Sequence, residues 1–217
     1  EVAEEIKNNY NVEVKFIQKD LSNKQNCINL YNELKNENID ILINNAGFGV
    51  HGNFAETDLD KEINMLDTNV MAVHILMKLF LQDMVKRNSG KILNVSSMAA
   101  FAPGPLMAGY YSSKAYVYRL SECVKTELKM AKSNVKISVL CPGPVRTNFN
   151  KVANVNFAAP SLSSDVVAKY AIKKMLKGKF TIVPGNLMKI TRFFEKILPH
   201  NWVSYVSYLV NYRKSEK

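Results

Sequence analysis

Residues 91–114 read KILNVSSMAAFAPGPLMAGYYSSK, a short strand-forming run followed by a helix-forming one, and the rest of the chain repeats that alternation. The spacing predicts a strand over 91–96 and a helix over 109–131. Working outward, strands are expected at 12–17, 40–44, 135–140 and 180–183, with helices at 23–35, 58–86 and 163–176 between them. Segment 40–44 is nearly continuously apolar, as in a strand buried on both faces. The long helix is announced by Thr57 and Asp60 at capping-box spacing. Residues 1–10 read as the end of a helix, because Val2, Ile6 and Tyr10 share one face and no cap precedes them. Strands alternating with helices define an α/β architecture with a doubly wound parallel sheet, and right-handed crossovers put helices on both faces.

No internal repeat, low-complexity tract or linker divides the chain, so one domain over 1–217 is expected, with 186–212 as a C-terminal helical extension. That extension carries two apolar stripes at helical spacing. Leu187, Ile190, Phe194 and Ile197 form the first, Trp202, Val206, Leu209 and Val210 the second, and Pro199 parts them. Lys189, Arg192, Glu195 and Lys196 interrupt it too often for a membrane span, which needs about 20 mostly apolar residues. Its first reading is helices packed on the domain or on a second subunit; its second is an interfacial, peripheral membrane contact.

A chain of 217 residues buries enough surface to stand without disulfides or metal, and 47% hydrophobic with 22% charged residues is an ordinary globular composition. Cys27, Cys123 and Cys141 are odd in number and fall in unrelated segments, so they build neither a disulfide framework nor a ligand set. With no basic-then-apolar leader at the start, a reducing, cytoplasmic setting is expected. The net charge of +10 comes mostly from lysines spread along the chain, while arginine is sparse. A solvated surface is favoured over nucleic-acid binding. The same field can attract a phosphorylated or acyl-carrier substrate. His51, His74 and His200 stand far apart with no carboxylate or cysteine at ligand spacing, so no metal site is expected. Met65, Met71, Met77 and Met84 read as core filler on the long helix.

Tyr110 and Lys114 lie four apart at the start of a helix, so phenol and ammonium share a face. A free phenol has a pKa near 10, and a fixed cation beside it lowers that value toward the working range. Such a phenol can give a proton to a carbonyl oxygen or take one from an alcohol. Tyr111, three residues before Lys114, is the rival phenol and ranks second. Ser97 ends a strand 13 positions before Tyr110, where a hydroxyl meets the crevice in which open α/β sheets bind ligands. Residues 44–47, Asn-Asn-Ala-Gly, close another strand at that edge, Asn69 sits inside the long helix, and residues 141–147, CPGPVRT, leave a third strand with the same polarity.

Taken together and in this order, these motifs resemble the short-chain dehydrogenase/reductase family, of its compact, DltE-like bacterial type, over essentially the whole chain. The resemblance implies a Rossmann-like fold and hydride transfer between a nicotinamide cofactor and a carbonyl/alcohol substrate. It makes Tyr110 the catalytic acid/base, and Lys114 the group that lowers its pKa and holds the nicotinamide ribose. Ser97 would hold the substrate oxygen, and Asn69 would position a water relaying protons to Lys114. Asp20 and Leu21 would contact the adenine edge, and Asn44, Ala46 and Gly47 would line the adenosine ribose. Pro142, Gly143, Val145 and Thr147 would form the turn at the nicotinamide. Asp20 has an alternative reading as a strand-end residue that caps the next helix.

Compared with the family, the glycine-rich turn between its first strand and helix is absent, as is the second strand, whose end chooses between NAD and NADP. We expect about one βαβ unit, roughly 30 to 50 residues, to precede Glu1, and the chain as written neither to bind cofactor tightly nor to turn over. Strand 12–17 would then lose its neighbour. The expected substrate is an apolar ketone, aldehyde or 3-oxoacyl compound, on the strength of a lid-like stretch at 149–160 and the apolar tail. NADP ranks ahead of NAD. A homodimer or homotetramer is expected through the helices at 58–86 and 109–131, where Val70, Ile75, Leu79 and Leu120 exceed the apolar surface one sheet face needs. The alternative is a non-catalytic nucleotide-binding or interaction module of the same fold. A sugar-nucleotide epimerase would need a larger substrate domain than the residues after Thr147 provide.

Overall fold

The computed structural model describes residues 2–147, 149 and 161–212. Helices α1 (Val2–Tyr10) and α2 (Lys24–Leu34) precede strand β1 (Ile41–Asn44). Helix α3 (Leu59–Leu66), a π-helical turn (Asp67–Met71) and α4 (Ala72–Lys86) lead into β2 (Lys91–Val95). A 3-10 turn (Met98–Phe101), α5 (Ala108–Met130) and β3 (Lys136–Leu140) follow. The short pair β4 (Val145–Arg146) and β5 (Leu162–Ser163) precedes α6 (Ser164–Leu176) and β6 (Thr181–Ile182). Two helices, α7 (Asn186–Glu195) and α8 (His200–Tyr212), close the described chain.

Strands pair in the order β1-β2-β3-β6, all parallel, in the α/β, Rossmann-like arrangement that the alternation predicts. The two-residue side-chain period of a strand then sorts the core into layers. Ile92 and Ile137 face α4 and α5, meeting Met77, Met84 and Leu128. Leu93, Leu140 and Ile182 face the other way, onto Val167, Ala171 and Met175 of α6. Helices cover both faces, which is why these strands read as apolar runs rather than as alternating ones.

At four places the structure departs from the expected elements. Residues 12–17 form no strand, and Val12 and Phe16 are 50% and 77% exposed. Apolar alternation supplies a face but not the neighbouring ladder that makes a strand. At the sheet edge, Ile41 and Ile43 of β1 are likewise exposed. The continuous helix expected over 58–86 is broken by the π turn, which centres on Asn69. It is also capped differently: Asp58 Oδ1 accepts from Lys61 N at 2.8 Å, while Thr57 bonds Phe54 O and Glu62 instead of forming a box with Asp60. Finally, of the four surplus apolar residues, Ile75 packs into the cluster that α2 forms on α4, and Leu120 into the sheet cluster. Helix α2 covers α4, so the core takes up more apolar surface there than one sheet face alone would need.

A polar thread crosses this apolar interior. Buried Asn94, in the centre of β2, accepts from Asn44 Nδ2 and donates to Ser121 Oγ, both at 2.8 Å, and Ser121 donates onward to Val117 O. The thread pins β1 to β2 and β2 to α5, the three elements that carry the site. We expect Asn94→Ala to cost about 3 kcal/mol, because it strips buried partners from Asn44 and Ser121 at once. Urea unfolding measures this, and a loss under about 1 kcal/mol would show that the thread contributes no more than one ordinary hydrogen bond.

Candidate active site

Ser96, buried at the end of β2, donates to Lys114 O at 2.8 Å and so ties the strand end to the first turns of α5. Next to it, Ser97 Oγ accepts from Ala99 N at 3.1 Å, capping the 3-10 turn, and also makes a hydrogen bond with the Tyr110 phenol. One turn along α5, the Lys114 ammonium lies 5.8 Å from the Tyr110 ring centroid and donates to Val95 O at 3.1 Å. Ser97, Tyr110 and Lys114 therefore converge at the carboxyl end of β2.

The electrostatics differ from the expectation in one respect. Burial pushes the Tyr110 phenol up to about 12, and the Ser97 hydrogen bond draws it only partly back. Lys114 is 5% exposed, and burial lowers its ammonium to about 8. The expected lowering of the phenol by the neighbouring cation does not occur here. In this pocket, desolvation dominates both groups, and each is pushed toward its neutral form. At neutral pH the site holds a protonated phenol beside a lysine close to its titration point.

Asn69 uses its whole side chain. Its Oδ1 accepts from Phe48 N at 3.1 Å, and its Nδ2 lies 2.8 Å from Phe48 O and 3.0 Å from Ser113 Oγ, whose hydroxyl donates to Tyr110 O. The π turn is what brings it there, a use that such single-turn bulges often have at functional sites. It clamps the loop after β1 so closely that a Cβ on Gly47 would sit 2.7 Å from Asn69 Oδ1 and 3.2 Å from Lys114 Nζ. That loop, residues 47–52, GFGVHG, has the spacing of a dinucleotide-binding turn and follows a strand. No helix opens on it, because α3 begins only at Leu59 and Gly52 N is taken by Leu106 O. It therefore offers no helix N-terminus to a pyrophosphate.

Tyr111 has a different use. Its ring lies against Gly104, where a Cβ would come within 2.1 Å, and its hydroxyl reaches Asn211 of α8 at 3.4 Å. It forms part of the wall of a 360 Å3 cavity with Ala102, Pro103 and Ala115. The Phe149 ring lies 5.3 Å from that of Tyr110. Apart from Phe149, the lid-like stretch is outside the described residues.

The candidate cofactor residues fall into two groups. Asn44, Ala46 and Gly47 end β1, and Pro142, Gly143, Val145 and Thr147 leave β3 at the same sheet edge, with Pro142 O accepting from Met98 N. Gly143 is held against Met188 of α7. Asp20 and Leu21 lie in the turn before α2. Asp20 accepts from Ser22 N and Oγ, which hold its carboxyl below the usual range, and Leu21 packs into the α2–α4 cluster. The cap of α2 is Asn23, not Asp20. An ammonium has three donors, and among the described residues Lys114 has one acceptor, Val95 O. The remaining donors suit the vicinal hydroxyls of a ribose, so this half of the site fits a nicotinamide nucleoside. Sequence reading missed Ser96, Ser113 and Asn94; a polar residue inside an apolar strand is the signal that could have found Asn94.

The sequence signature of the short chain dehydrogenases matches residues 1–157, and the chain belongs to that family of oxidoreductases. It is 30% identical over 220 residues to the very-long-chain 3-oxoacyl-CoA reductase of Rattus norvegicus, covering 99% of this chain and 68% of the rat protein. It is 38% identical over 129 residues to the probable oxidoreductase EphD of Mycobacterium tuberculosis, covering 59% of this chain but 21% of EphD. The chain thus spans only part of these curated relatives. Its fold matches that of a short-chain dehydrogenase from Sphingobium yanoikuyae in complex with NADPH, with a TM-score of 0.79 at 22% identity over 91% of this chain and 81% of that one.

Proposed function

We propose that the protein is an NAD(P)-dependent carbonyl reductase of the compact, DltE-like type, with NADP ahead of NAD, acting on an apolar ketone, aldehyde or 3-oxoacyl compound. The observation that carries this reading is a buried Lys114 ammonium, lowered by burial to about 8, beside a protonated Tyr110 that is hydrogen-bonded to Ser97. The 3-oxoacyl-CoA reductase among the relatives and NADPH in the Sphingobium structure support the substrate and cofactor classes. In this reading Ser97 holds the carbonyl oxygen, Tyr110 gives it a proton, and Lys114 holds the ribose hydroxyls. Asn69 keeps the loop after β1 closed on Lys114 and positions the water that returns protons to it. Pro142, Gly143, Val145 and Thr147 frame the nicotinamide, with Asn44, Ala46 and Gly47 at the adenosine ribose and Asp20 and Leu21 at the adenine. The nicotinamide, when bound, supplies the hydride. Cytoplasmic placement and a homodimer or homotetramer through α4 and α5 belong to the same reading.

The test is oxidation of NADPH and of NADH by the natural full-length protein with a series of apolar ketones and 3-oxoacyl thioesters. Ser97→Ala should lower kcat about 10- to 100-fold, the worth of one hydrogen bond to a developing oxyanion. Failure of every carbonyl to consume cofactor, or an unchanged rate in the variant, would overturn the reading.

A further inference from the structure

Two features outside the catalytic site meet on α7. The first is a cavity of about 520 Å3 between α6, β6 and α7, walled by Tyr170, Lys174, Lys179, Lys189, Arg192 and Lys196. The Lys174 and Lys189 ammonium groups share the Tyr170 ring, at 5.4 and 5.8 Å from its centroid. Arg192 is braced 4.1 Å over Phe101 and donates to the Tyr118 hydroxyl, and its Nε is buried with no hydrogen-bond partner among the described residues. Glu195 is the carboxylate near Arg192, and among the described residues none pairs with Lys174, Lys179, Lys189 or Lys196. Like charges gathered around one cavity repel, and a polyanion between them reverses the sign of that energy.

The second feature is apolar. Leu187, Ile190, Phe193 and Phe194 are each more than half exposed, as are Trp202, Tyr205 and Val206 of α8. An aromatic side chain carries ~150–250 Å2, so Phe193 and Phe194 on α7 and Trp202 and Tyr205 on α8 together expose roughly 400 Å2 or more. The chain's single tryptophan is among these exposed residues, and Tyr208 and Tyr212 of α8 are exposed as well. Tryptophan and tyrosine around an apolar face, with lysines beside it, make the composition that settles at a membrane–water boundary.

We propose that α7 and α8 seat the protein on an anionic bilayer, the apolar face in the headgroup–acyl boundary and a lipid phosphate in the lysine-lined cavity. Charge selects this occupant over a second copy of the chain. Two copies meeting through α7 would bring Lys189, Arg192 and Lys196 of each together on a chain that already carries +10, whereas an anionic surface neutralises them.

Cosedimentation of the chain with phosphatidylcholine vesicles, with and without phosphatidylglycerol, tests this. Binding is expected on the anionic vesicles only, and added salt should weaken it. Lys189→Glu with Lys196→Glu, and separately Trp202→Ser with Val206→Ser, should each weaken it at least tenfold, with circular dichroism unchanged because these side chains sit on the surface. The proposal falls if neither vesicle binds, if neutral and anionic vesicles bind alike, or if both variants keep full binding. Capture of inorganic pyrophosphate without vesicle binding would assign the cavity to a soluble phosphoester. A dimer in light scattering that Trp202→Ser dissolves would assign the apolar face to a second copy. Either result overturns membrane docking.

Discussion

Tyr110→Phe should lower kcat by about 10³- to 10⁴-fold in the natural full-length protein, with little change in fold stability, because the ring remains and only the proton donor goes. The phenol is pushed up to about 12, so it keeps its proton throughout the neutral range. It is thus poised to give a proton to a carbonyl oxygen and poorly poised to take one from an alcohol. The parent should accordingly reduce faster than it oxidises at neutral pH, and the oxidation rate should climb as the pH rises toward the phenol's range. Tyr111→Phe is the control: that hydroxyl makes a 3.4 Å contact to Asn211 and lies against a different cavity, so the rate should stay near the parent's. Stopped-flow or steady-state reduction assays separate the two. Equal losses in both variants, or a larger loss in Tyr111→Phe, would reverse the assignment of the proton donor.

The sequence separates Tyr110 from Tyr111 only by spacing to Lys114, and in the structure the Lys114 ammonium lies 5.8 Å from the Tyr110 ring while the Tyr111 hydroxyl reaches Asn211. A helix fixes the direction of i and i+4 neighbours, so a local rule reaches the site directly. The same holds for β1, β2, β3 and α5, whose periodicities are strong and whose ends lie within a few residues of expectation. What was not legible depends on partners distant in sequence. Residues 12–17 have strand composition, yet their hydrogen bonds must come from another segment, so composition alone misplaces them. The π turn at Asn69 goes unread because, although one extra residue turns the following stripe by about 100°, the segment around it is apolar densely enough to continue a stripe in either phase. The shift of the phenol to about 12 was likewise unreadable: adjacency of a cation predicts a fall, and only the extent of burial reverses it. Asn94 was passed over because its purpose emerges only when Asn44 and Ser121 arrive beside it.

Lys114→Met should do two opposite things at once, slowing turnover at least ~100-fold while making the fold more stable. In the folded chain burial lowers this ammonium from 10.5 to about 8, so at pH 7 the protein carries a buried charge that the unfolded chain would hold in water. A shift of that size corresponds to a penalty of about 3 kcal/mol. The group's folded pKa is the lower one, so the penalty is present in full below about 8, fades as the pH climbs from there to 10.5, and is gone above that. Methionine fills similar volume without charge. It forfeits the hydrogen bond to Val95 O, worth about 1 kcal/mol, and leaves a net gain of roughly 2 kcal/mol at pH 7. Urea unfolding at pH 7 and at pH 10 measures it, and the advantage of the variant should shrink between them. The same substitution removes the cation that faces the Tyr110 ring and the donors offered to a ribose, so the reduction rate should fall at least ~100-fold. The parent's fall in rate above pH 8, where Lys114 loses its proton, should vanish with it. A variant less stable than the parent at pH 7 would mean that Lys114 is held by more partners than Val95, and that its charge is satisfied in the fold rather than stored there for binding.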